Sequence, residues 1–135
     1  MIMFKSTLLF SLVICLAGKS GQAQSGSVNM DTLLVGTWNG TSICQIKNSP
    51  CHDETVVYHI SKNNAVDTFY VNASKIVNGV EEEMGILPFV YNEKKNQFIS
   101  TAYGIWTFNV EGTKLEGTLF VRGELYRKIT VSKHY

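Results

Sequence analysis

Apolar and polar positions alternate along most of this 135-residue chain, and short clusters of turn-forming residues punctuate the alternation. In 54–61, Val56, Tyr58 and Ile60 fall on one face and Val57 and His59 on the other, after which Lys62-Asn63-Asn64 turns the chain. Phe69, Val71 and Ala73 keep step through 67–76. Asn78-Gly79 then marks a tight hairpin, because both residues tolerate positive φ. The return strand, 80–91, contains Gly85 and Pro88; proline cannot donate to a ladder, so it belongs at a bulge or an edge. After the loop 92–96 come 97–103 and 105–110, the second alternating Trp106, Phe108 and Val110. Turns at Glu111-Gly112-Thr113 and Arg122-Gly123-Glu124 delimit the last two strands. Their apolar faces carry Leu115, Gly117, Leu119 and Val121, then Leu125, Arg127, Ile129 and Val131. No segment holds a 3.6-residue period over a helical length.

The first strand is read from Leu34-Val35-Gly36-Thr37-Trp38-Asn39-Gly40-Thr41-Ser42. Trp38 is the largest side chain available to fix the floor of a core, and Gly36 and Gly40 beside it suit a strand that curls beneath a closed sheet. With that strand the count is about eight. An antiparallel meander of this number closes into an up-and-down barrel and so removes its unpaired edges. A two-sheet sandwich needs long Greek-key crossings, for which these short turns leave little room.

Composition adds compartment. Residues 1–23 carry Lys5, the apolar run Leu8 to Ala17 and small residues at Gly21-Gln22-Ala23, the pattern of a cleaved secretory signal, with an ending that resembles bacterial export signals. Residues 24–32 read as a flexible lead-in and 33–135 as one barrel domain. Without Lys5 and Lys19 the chain holds ten basic and eleven acidic residues, which gives no electrostatic basis for nucleic acid. No integral membrane segment is expected once the signal is removed. The expected location is secreted or periplasmic.

Cys44 and Cys51 remain after that cleavage, and an even pair in an exported chain is most simply a disulfide. A metal site from Cys44, Cys51, His52 and Asp53 would need a second ligand pair that the chain lacks, so neither metal nor cofactor is expected. His52, Asp53 and Glu54 gather one imidazole and two carboxylates at a possible barrel rim, although adjacent residues point in different directions. Glu81-Glu82-Glu83 reads as a charged turn face, with a loose cation site as its alternative. No nucleophile elbow, phosphate loop or paired catalytic carboxylate spacing is present, and the chain is not expected to be an enzyme.

Arg127 falls in register with apolar neighbours, and a guanidinium there needs a partner such as an indole face. Gly36-Thr37-Trp38, the eight-strand meander and Arg127 together resemble the lipocalin-like, or calycin, barrels. That resemblance implies that Arg127 covers Trp38 where the first and last strands meet, and that the barrel serves as a calyx. The stretch from Gly36 through Cys44, Cys51 to Glu54 and Val56-Val57-Tyr58 also resembles small exported bacterial proteins of unassigned role. The expected function is non-covalent binding of a small apolar or aromatic molecule in the lumen, lined by Tyr58, Phe69, Phe89, Tyr91, Tyr103 and Trp106. Trp38, Arg127, Cys44 and Cys51 would be structural, and the protein a monomer. The alternatives are a protein-interaction or inhibitor module with a filled barrel, and a small enzyme with a rim site at His52, Asp53 and Glu54.

Overall fold

The computed structural model describes residues 29–135, so the expected signal at 1–23 lies outside the described residues. Eight strands follow one another: β1 Gly36–Cys44, β2 Glu54–Lys62, β3 Thr68–Val77, β4 Val80–Asn92, β5 Gln97–Ser100, β6 Ile105–Glu111, β7 Lys114–Val121 and β8 Glu124–His134. Each pairs antiparallel with the next and β8 returns to β1, closing the barrel. This architecture is compatible with a lipocalin-like fold. Asn78-Gly79 and Arg122-Gly123 make two-residue turns with positive φ at both positions, as hairpins of matching twist require.

Most inward residues are those that alternation assigns, and Phe98 joins them. Trp38, Val56, Tyr58, Ile60, Phe69, Val71, Phe89, Phe98, Phe108, Leu115, Ile129 and Val131 form one buried core. Closure depends on Gly40, because a Cβ there would lie 1.9 Å from the Thr130 carbonyl oxygen of β8. Only a residue without a side chain lets the last strand cross the first so closely.

One end of the barrel is plugged by an element that strand periodicity did not predict. The lead-in expected over 24–32 is described from Asn29, and from Met30 it is helical: α1, Met30–Leu34, capped by the Asn29 side chain, which accepts from the Asp31 N–H at 3.0 Å. Leu34 is fully buried and its carbonyl accepts the Trp38 indole N–H at 2.9 Å. Lys133 Nζ donates to the carbonyls of Thr32 and Leu33 at 3.0 and 2.7 Å, which satisfies the helix C-terminus with a cation. Among the described residues no helix is long and apolar enough to cross a membrane.

Three expectations are corrected by register. Arg127 does not cover Trp38: on β8, Arg127 lies opposite Cys44 whereas Trp38 lies opposite Lys133, so the two sit six residues apart along β1, about 20 Å at strand rise. The barrel closes without their contact. Leu125 does not share a face with Arg127, because Leu119 pairs with Arg127 and Phe120 with Leu125, leaving Tyr126 as the extra residue of a bulge. The strand expected over 97–103 ends at Ser100, since Tyr103 and Gly104 both take positive φ in the turn to β6.

A second bulge shapes the other end. Ala73 pairs with Gly85 and Ser74 with Glu83, so Met84 has no partner and β4 bends there. Pro88 is not at this bulge but at an edge, since β5 pairs with β4 only over Val90–Asn92. The short β5 and the bent β4 therefore splay apart, opening a mouth opposite α1.

Candidate functional site: the barrel mouth

Of the six residues expected to line the lumen, Tyr58, Phe69, Phe89 and Tyr91 are buried inside, and Trp106 is partly buried against them. They fill the space rather than surround it. Phe89 stacks on Phe98 with ring centroids 4.6 Å apart, Phe69 meets Phe98 edge-on at 5.5 Å, and Phe108 lies 6.0 Å from Phe89 and 6.3 Å from Tyr58. Burial pushes the Tyr58 phenol well above its ordinary range, so it stays neutral. The Tyr91 hydroxyl donates to Asn96 Oδ1 at 2.6 Å, which fixes it near the plugged end. Tyr103 is not inside the lumen: it is 87% exposed on the β5–β6 turn.

One concave space opens at the mouth. A cleft of about 200 Å³ is lined by Ala73, Met84, Gly85, Leu87, Tyr103 and Trp106. Each wall has a local cause. The bulge swings Met84 outward and leaves Gly85 without a side chain, while the turn holds Tyr103 at φ 57°. A bulky residue in that region costs about 1–2 kcal/mol, so the tyrosine is presented at the expense of backbone strain. The Trp106 indole N–H donates to the Ala102 carbonyl at 2.8 Å, and its ring meets Phe89 edge-on at 6.3 Å. With its polar atom satisfied, the indole gives the cleft an apolar wall.

Across the mouth the wall is polar. Arg127 Nη1 donates to the Ser42 carbonyl and hydroxyl at 3.2 and 3.3 Å and to the His52 carbonyl at 3.0 Å, while Nη2 lies 3.4 Å from Glu54 Oε1. The disulfide Cys44–Cys51 closes the adjoining loop, and Asp53 Oδ1 accepts the Cys44 N–H at 2.9 Å. A disulfide suits an extracellular or periplasmic location. His52, Asp53 and Glu54 thus do not converge: one binds through its backbone, one caps β1, and one pairs with Arg127. Among the described residues no group of three His, Cys, Asp or Glu side chains is placed to hold a metal ion.

Periodicity did not single out a polar chain on the outer face. Thr37 Oγ1 lies 3.2 Å from His59 Nδ1, and His59 Nε2 contacts the Glu81 carboxylate. Glu81 lies on β4, two strands from His59, on the far side of the bulge at Met84. The order hydroxyl, imidazole, carboxylate is that of an acyl-transfer relay, but Thr37 pairs with His59 on one side and His134 on the other, within a strand bonded along both edges. The three side chains tie β1 and β2 to the β3–β4 hairpin, and we describe them as a clasp.

The hydrogen bond from His59 holds the Glu81 carboxyl below its ordinary value. A depressed carboxylate contributes stability above its unfolded-state pKa, and that contribution is lost as pH falls through the lower folded value. A carboxyl-carbon NMR titration should therefore place the Glu81 midpoint below that of an ordinary glutamate, and His59→Gln should shift it upward. An unchanged midpoint in His59→Gln would show that the clasp does not form in solution.

Comparison of the chain with protein families, with curated proteins and with solved structures finds no match.

Proposed function

We propose that this protein is an exported, lipocalin-like binding protein that holds a flat apolar molecule of one or two rings at the barrel mouth, rather than a larger ligand deep in the lumen. The observation that carries this reading is the apolar cleft of about 200 Å³ between the β4 bulge and the strained Tyr103 turn. Scale sets the ligand class, since an apolar cavity of about 150 Å³ already accepts benzene. The packed rings of Phe69, Phe89, Phe98 and Phe108 leave the mouth as the place of access.

Trp106 provides the readout. Titration with 1-aminonaphthalene, followed by tryptophan fluorescence, should saturate with a dissociation constant on the order of 10–100 μM, as expected for a small apolar ligand. Tyr103→Gly should weaken binding about tenfold while leaving stability unchanged or higher, because glycine removes the left-handed strain. Met84→Asp should weaken it as much or more. Saturation that is identical in wild type, Tyr103→Gly and Met84→Asp would remove the mouth as the site, and no saturation up to about 1 mM in wild type would remove the small-ligand reading.

A further inference from the structure

The outer face of β4 is divided into three zones. Glu83 and Glu81, the latter already held by His59, occupy its start, Ile86, Pro88 and Val90 its middle, and Lys94 and Lys95 lie in the turn just past its end. No charged residue occurs from Met84 to Asn92. Ile86 is 57% exposed and Val90 50%, and neighbouring Tyr70 on β3 is 44% exposed. Together they form a ridge with a groove on each side. One groove, of about 390 Å³, lies between Tyr70 and Ile86; the other, of about 300 Å³, lies between Val90 and Ile99. An exposed apolar strip of this extent on a small barrel marks an interaction surface.

Backbone geometry selects how such a surface is covered. The Tyr91 N–H donates to the Asp67 carbonyl, on the β3 side, so by alternation the backbone of Ile86, Pro88 and Val90 faces the other side, where β5 stops at Val90. Pro88 offers no N–H to that open edge. A proline and nearby charges at an edge oppose strand addition, which leaves packing face to face.

Charge selects the partner. Pro88 stands midway between the acidic start of β4 and the lysine turn, in which Glu93 leaves a net single positive charge. We propose that a second copy of this chain covers the strip, with a two-fold axis at Pro88 and the two β4 strands antiparallel. The symmetry sets the glutamates of each copy against the lysines of the other, and the uncharged ridge of each enters a groove of its partner. A partner of one sign would be repelled at one end.

Analytical ultracentrifugation of the purified protein at low salt should show a reversible dimer with a dissociation constant on the order of 10 μM, typical of a modest interface. Ile86→Asp should weaken it at least tenfold with an unchanged circular dichroism spectrum and Tm. Glu83→Lys and Lys94→Glu/Lys95→Glu should each weaken self-association, and an equimolar mixture of the two variants should associate more tightly than either alone, because one contact then keeps its original charges and the other sets the new lysine at position 83 against the new glutamates. A monomer at all concentrations up to about 1 mM would overturn the proposal and leave the strip to a partner of different sequence. A dimer indifferent to Ile86→Asp, or a mixture that stays monomeric, would overturn this arrangement.

Discussion

Phe89→Ala should destabilise the barrel by about 4 kcal/mol, the middle of the range for removal of a buried aromatic side chain. Phe89 is 2% exposed and its ring stacks on Phe98, lies 6.0 Å from Phe108 and meets Trp106 edge-on. β3 holds β4 opposite Phe89, and Phe98 and Phe108 stand on β5 and β6 within the closed sheet, so little of the vacated space can collapse and the penalty includes a cavity cost. Urea unfolding should show a lower midpoint with an unchanged m-value. Because a persistent apolar cavity stays dry and accepts benzene, added benzene should restore part of the lost stability in proportion to its occupancy. A loss below about 1 kcal/mol would mean that the aromatic cluster is loosely packed in solution and the lumen open.

That expectation rests on a core that was legible from alternation alone. Val56, Tyr58, Ile60, Phe69, Val71 and Phe89 all lie on the face that period two assigns them, since a closed barrel leaves no freedom to exchange inside for outside. Asn78-Gly79 was legible for the same reason, as only residues tolerant of positive φ make that turn. The misreadings occur where the period breaks. Each bulge adds one residue, and no residue type at Tyr126 or Met84 announces it, so alternation puts Arg127 in step with Leu125 and gives no sign that Glu81 meets His59. Tyr103 reads as a strand aromatic because a bulky residue is rarely expected at positive φ. The plug α1 spans five residues, too few for a helical period, although Asn29 preceding Asp31 is a capping signal. The mouth cleft was half legible for the same reasons. Trp106 was named, but Met84 and Gly85 enter the site only through the bulge.

Arg127→Met should cost about 3 kcal/mol, toward the lower end for breaking a buried ion pair by removing one partner. The guanidinium is held almost entirely within the wall, and its loss leaves Glu54, with its side chain 21% exposed, facing that wall without a cation and removes the donor from the Ser42 hydroxyl and the His52 carbonyl. Partial access of Glu54 to water keeps the cost from going higher. Arg127→Lys should recover less than half of it, because one ammonium cannot reach Ser42, His52 and Glu54 from a single position. The two changes should also separate stability from loop anchoring. The segment between β1 and β2 is fastened at one point by Cys44–Cys51 and at another by the bond from Arg127 to the His52 carbonyl. With the second fastening gone, trypsin should cut after Lys47 faster than global unfolding allows in Arg127→Met, whereas Ser42→Ala, which removes only one hydroxyl acceptor, should leave the cleavage rate near that of wild type. Equal cleavage rates in Arg127→Met and wild type would mean that the disulfide alone holds the loop, and that the arginine acts only within the wall between β1 and β8.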